Sequence, residues 1–204
     1  MKALKLTSSL LVAGVLASSL VLGGCAGKLQ RSTKTDENAL IIPDFPTAKE
    51  QFNFAQVYAG SMLISPELPR RREQMAKIAE TYQRVITNFP NDPTYVPLTT
   101  LELGDCAARS SEDALAIQLY QQAYGQAGTN DFVKSRAEYS IARVYDNQLR
   151  HEEAKAIYKR IIDVYGKSPS GRVQDVVRRS ATEYYRVYDT SKEGAAQQSQ
   201  GQKR

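Results

Sequence analysis

Three stretches decide how this chain folds: Ile78-Ala-Glu-Thr-Tyr82-Gln-Arg-Val85, Ala116-Ile-Gln-Leu-Tyr120-Gln-Gln-Ala123 and Ala154-Lys-Ala-Ile-Tyr158-Lys-Arg-Ile161. Their tyrosines recur at intervals of 38, and each has a small or aliphatic residue four positions before it and three after it. Offsets of four and three put all three side chains on one face of an α-helix. A fixed period of this length, filled by such helices, marks a stacked helical repeat in which each unit buries its apolar face against its neighbours. The expected fold is all-α, a solenoid of about three helical hairpins plus a capping helix.

Each stretch needs a companion. Residues 95–108 form one, with Leu103 and Gly104 near the middle, and residues 132–146 form the next, with Ile141, Ala142 and Tyr145 at matching places. For the first stretch the companion is QFNFAQVYAGSML, residues 51–63, carrying Ala55 and Tyr58 and followed by a long turn with Pro66 and Pro69. After the last hairpin, GRVQDVVRRSATEYYRVYD reads as a capping helix that presents Val173, Val176, Val177, Ala181 and Tyr184 inward. Pro90 closes the first hairpin by blocking continuation, and Gly128 and Gly166 close the others by permitting a left-handed cap. Ser110 with Asp113 is expected to cap the helix that begins near Glu112, and Asn91-Asp92-Pro93 to form a turn. No stretch alternates with a period of two, so no strand is expected.

The helix pairs resemble tetratricopeptide repeats, in which small residues on paired helices let the backbones approach. Leu103, Gly104, Ala116, Tyr120 and Ala123 carry the resemblance in one repeat, and Ala142, Tyr145, Ala154, Tyr158 and Ile161 in the next; it extends over residues 48–189. The resemblance implies a curved inner wall, lined by the first helix of each pair, that takes a protein or peptide partner. Its inward positions fall on Leu101, Asp105 and Arg109, then on Tyr139, Arg143 and Asn147. These residues lack the asparagine and lysine pattern of the repeats that clamp a terminal carboxylate.

Ahead of the repeats, MKALKLTSSLLVAGVLASSLVLGGC has the order of an export signal: Lys2 and Lys5, an apolar run, then small residues. The apolar run is too short and too rich in Ser and Gly for a spanning helix, which needs about 20 strongly apolar residues. Leu22-Gly23-Gly24-Cys25 resembles the lipobox of bacterial lipoproteins, which implies acylation of the Cys25 sulfur and cleavage before it; an ordinary secretory signal with an incidental cysteine is the alternative. Several acyl chains, at about 0.8 kcal/mol per buried methylene, give a lasting membrane anchor. Ala26, by the same resemblance, favours the outer membrane facing the periplasm. The expected organisation is a signal peptide over residues 1–24, the lipidated cysteine and a flexible linker over 25–46, the repeat domain over 47–189 and a disordered polar tail over 190–204. Cys106 is then left without a disulfide partner in the chain, as a buried free thiol on a helix.

The formal charge is +5 and becomes +3 once Lys2 and Lys5 are removed, too modest an excess to indicate a nucleic-acid partner. No phosphate-cradling glycine loop, Gly-x-Ser-x-Gly turn or histidine-activated nucleophile is found after the signal. His151, the single histidine, has no further ligands at metal-binding spacing and reads as a solvated turn residue. Arg70, Arg71 and Arg72 form the densest basic run and read first as a solvated helix start; because cations are unfavourable at a positive helix end, a candidate basic patch for a carboxylate or lipid phosphate is the alternative. No cofactor or metal is expected, and the chain reads as a non-enzymatic adaptor, lipid-anchored in the bacterial cell envelope. Among lipidated repeat proteins it resembles the BamD-type lipoproteins of outer-membrane assembly. A lipoprotein organising peptidoglycan synthesis or cell division, and an envelope enzyme using carboxylates alone, are the alternatives.

Overall fold

Amphipathic periodicity becomes seven helices in the computed structural model, which describes residues 40–201 and side chains through Arg186. The helices are α1 Ala48–Ser61, α2 Leu68–Asn88, α3 Tyr95–Arg109, α4 Asp113–Gln126, α5 Asp131–Asn147, α6 His151–Tyr165 and α7 Gly171–Gly201. There is no strand among the described residues. The expected signal peptide, Leu22, Gly23, Gly24, Cys25 and most of the linker lie outside the described residues. Among the described residues no helix is long and apolar enough to cross a membrane.

Each hairpin packs on the next: α1 on α2, α3 on α4 and α5 on α6 within hairpins, then α2 on α3, α4 on α5 and α6 on α7 between them. The first helices also touch, α1 with α3, α3 with α5 and α5 with α7, and so form a continuous layer. In this layer α7 occupies the place of a fourth first helix that has no second. The fold is an all-α, tetratricopeptide-like solenoid of three hairpins and a terminal helix. Arg178 and Thr182, one turn apart on α7, are both exposed, so water can complete the stack at this end.

The three tyrosines are 3%, 2% and 0% exposed at positions 82, 120 and 158, so the 38-residue pattern is the core pattern. Each meets a small residue on a first helix. Gly104 faces the Tyr120 ring, while Ala142 clusters with Tyr158 and Ala55 with Tyr82. Gly104, Ala142 and Ser180 are themselves 38 residues apart and all buried, which identifies α7 as a member of the first-helix layer.

The turns correct two expectations. The α3–α4 turn is not closed by a Ser110–Asp113 cap at the start of α4. Ser111 takes a left-handed φ of 61° instead, and its N–H and that of Glu112 reach back to the carbonyls of Ala108 and Ala107. The same turn recurs 38 residues on: Leu149 has φ 61°, and Leu149 and Arg150 donate to Asp146 and Tyr145. This is a Schellman close at the C-termini of α3 and α5, built on residues other than glycine. Gly128 adopts the expected left-handed conformation at φ 53°, but Gly166 stays right-handed at −59° and closes α6 through its N–H on the Ile162 carbonyl. A left-handed conformation costs a side-chain-bearing residue roughly 1–2 kcal/mol, and Leu149 is 77% exposed, so its side chain gives little back. Leu149→Gly is therefore expected to raise the melting temperature by about 2–4 °C, after the greater unfolded-state freedom of glycine is subtracted; thermal unfolding followed by circular dichroism checks it.

Pro69 is not in the turn that precedes α2 but inside the opening turn of the helix, where its missing N–H has no intrahelical acceptor. The loop of residues 62–67 is held by Gln74, whose Nε2 donates to the Leu63 carbonyl at 2.8 Å while its Oε1 accepts from the Ser65 N–H at 2.8 Å. Gln51 does the same ahead of α1, with Nε2 on the Pro43 carbonyl at 3.1 Å and Oε1 accepting from the Phe45 N–H at 3.0 Å. That clip, together with buried Ile42, corrects the linker boundary: residues 42–46 are packed on the repeat domain rather than free of it. At the other end α7 runs to Gly201, past the expected boundary at 189. Residues 190–201 hold Ala and Gln and no proline, so nothing in them stops a helix already begun.

Candidate functional site

The first-helix layer encloses a cleft of about 620 Å³ between α3, α5 and α7. Five of the six residues assigned to the inner wall line it: Asp105 and Arg109 from α3, and Tyr139, Arg143 and Asn147 from α5. Leu101 is the exception and corrects the assignment. It is fully buried, in a cluster with Val133 and Ala137, because the N-terminal half of α5 closes over it. The wall also contains residues that the repeat register did not single out, namely Phe132 and Arg136 on α5 and Arg172, Asp175 and Arg179 on α7. Those on α7 follow from the Gly104–Ala142–Ser180 series, which places α7 in this layer. Nothing in the sequence pairs Arg136 with its partners.

Arg136 anchors the floor. Its guanidinium donates to Glu102 Oε1 at 2.8 Å and to Asp105 Oδ2 at 2.6 Å, while the Tyr120 hydroxyl donates to Asp105 Oδ1 at 2.7 Å. One network thus ties α3, α4 and α5 together beneath the cleft. Burial works against the charge on Arg136, but Glu102 and Asp105 outweigh it and hold the guanidinium above its ordinary range. Burial, with Asp105 beside it, pushes the Tyr120 phenol up, so this hydroxyl stays a donor. At the α7 edge the Arg172 guanidinium lies 3.6 Å from the centre of the Phe132 ring, a cation–π stack.

The basic run is compensated from within the fold. Arg71 Nε donates to the Arg109 carbonyl at 2.8 Å and Arg72 Nε to the Ser110 carbonyl at 2.9 Å. These carbonyls form the negative end of α3, so two of the three cations serve as its C-terminal partners instead of forming an open anion patch; Arg70 remains exposed beside them.

The remaining candidates for chemistry are accounted for in the same way. His151 is more than a solvated turn residue: its Nδ1 lies 2.8 Å from Asp146 Oδ1, and Asp146 also takes Arg186, so the carboxylate joins the end of α5 to α6 and α7. Among the described residues no group of His, Cys, Asp and Glu could hold a metal ion. Cys106 is a free thiol, 7% exposed, and burial with help from Asp105 and Glu102 pushes it up to about 12. A thiol so disposed is a poor nucleophile at neutral pH.

No curated protein matches the chain. Residues 136–168, from Arg136 in α5 to the loop after α6, match the family model described as tetratricopeptide repeat, so the third hairpin is of that kind and the chain is a repeat-containing helical solenoid.

Proposed function

We propose that this chain is a lipid-anchored protein–protein interaction adaptor of the bacterial cell envelope, exported by residues 1–24, tethered through Cys25 and presenting its first-helix cleft to a protein partner. The observation that carries the reading is the cleft itself: a tetratricopeptide-like layer whose concave wall gathers Asp105, Arg109, Tyr139, Arg143 and Asn147 without a metal cluster among the described residues. A catalytic role has no comparable support, because the acidic side chains at the cleft floor are neutralised by Arg136 and the thiol is buried. The anchor belongs to the outer membrane, facing the periplasm, and assembly of outer-membrane proteins is the process that the lipobox and helix-pair resemblance favours.

The test has two arms. Full chain and Cys25→Ser are expressed with labelled palmitate and the membranes are fractionated; label and outer-membrane recovery are expected for the parent and lost in the variant. A photoreactive residue at Asn147 or Tyr139 is then crosslinked in native membranes. Capture of a β-barrel assembly component is the expected result, capture of a cell-wall synthase replaces the process, and no capture at either position overturns the cleft as the partner site.

A further inference from the structure

The cleft holds cations that the fold leaves uncompensated. Arg136 is consumed by Glu102 and Asp105, and Asp175 is paired with Arg178 on its own helix. Arg172 is stacked on the Phe132 ring, and that leaves Arg109, Arg143 and Arg179, one from each of α3, α5 and α7, exposed on the wall with no carboxylate at ion-pair distance among the described residues. Each is on a different first helix, so the three are spread across the layer from α3 to α7. Axes of packed helices stand about 8–10 Å apart, so α3 and α7, two spacings apart, lie roughly 20 Å from each other. An extended peptide covers that span with about six residues at roughly 3.3 Å each.

We propose that the occupant of this cleft is an acidic peptide segment of the partner, with Asp or Glu side chains that meet Arg109, Arg143 and Arg179. The inference rests on the cleft being the partner site and names the chemistry of what it takes. Carboxylates suit three separated guanidiniums because each can accept a forked pair of hydrogen bonds. Asn147 and Ser140, which line the same cleft, can hydrogen-bond the peptide backbone, and the Tyr139 ring offers apolar surface. A planar bilayer does not reach into a concave wall, and a continuous polyanion such as single-stranded nucleic acid carries more charge along this span than three separated guanidiniums neutralise. An acidic peptide with spaced carboxylates meets neither obstacle.

The experiment uses the full chain in detergent and measures fluorescence anisotropy with four probes: an Asp/Glu-rich peptide with one aromatic residue, the same peptide with Gln and Asn in place of the acids, a Lys-rich peptide and a single-stranded oligonucleotide. Flotation on vesicles with and without phosphatidylglycerol is compared, because the acyl anchor carries the chain onto both. The acidic peptide is expected to bind at least about tenfold more tightly than its amide counterpart, and to weaken as salt is raised. The triple variant Arg109→Gln, Arg143→Gln, Arg179→Gln is expected to lose at least about tenfold for the acidic peptide. Its thermal melt should stay unchanged, since none of the three arginines holds an ion pair in the fold. Equal binding of the amide peptide, or acidic binding untouched by the triple variant, overturns the acidic partner while leaving the cleft as a peptide site. Binding of the oligonucleotide, or flotation that depends on phosphatidylglycerol, with no peptide bound overturns both.

Discussion

Gly104→Ala should destabilise the protein by about 2 kcal/mol, although alanine is the better helix former by about 1 kcal/mol. A Cβ at position 104 would stand 2.6 and 2.7 Å from two carbons of the Tyr120 ring. That ring cannot step aside cheaply, because it is 2% exposed and its hydroxyl is fixed on Asp105. The ring, and α4 with it, must shift away from α3, which opens the close seam between these two helices. Gly125 in α4 makes the control: a Cβ there has nothing within 4 Å, so Gly125→Ala should gain a few tenths of a kcal/mol to about 1. Urea titration of both variants decides the matter. Opposite signs support the close approach of Gly104 and Tyr120; a shared gain would mean that α3 and α4 do not pack as closely as described.

Removing the floor guanidinium should be as damaging. Arg136→Met preserves the stem but leaves Glu102 and Asp105 without their cation, with side chains 16% and 28% exposed. Breaking a fully buried pair costs about 3–5 kcal/mol, and partial exposure to water here reduces the expected loss to about 2. The loss belongs to stranded carboxylates more than to a missing attraction. Adding Glu102→Gln and Asp105→Asn to Arg136→Met should therefore recover most of it, since the amide oxygen of the substituted side chain can still accept from the Tyr120 hydroxyl. Denaturant midpoints of the single and triple variants measure this. A triple variant no more stable than the single one would show that the arginine acts through packing of its stem and not through charge.

How far the sequence carried can be judged at particular residues. Tyr82, Tyr120 and Tyr158 were legible as core because a helix repeats every 3.6 residues and a repeat protein reuses the same face. The inner-wall positions Asp105, Arg109, Tyr139, Arg143 and Asn147 followed from that register, and all five line the cleft. Leu101 failed because register states which face a residue occupies, while the closure of α5 over that part of α3 depends on how two helices pack. His151 and Arg71 failed for a related reason: their partners, Asp146 and the Arg109 carbonyl, are brought close by turns and by hairpin packing.

Local periodicity thus determined, from sequence alone, the helices, their pairing into hairpins and the small-residue seams at Gly104 and Ala142, because each depends on spacing along one chain segment. Tertiary structure alone decided which charges remain free. Arg136 and Arg143 are alike in sequence, seven residues apart on one helix, yet one is locked by two carboxylates from α3 and the other is open on the cleft wall. Electrostatic pairing depends on distances through space between groups more than 30 residues apart in sequence, and only the packed layer sets those distances.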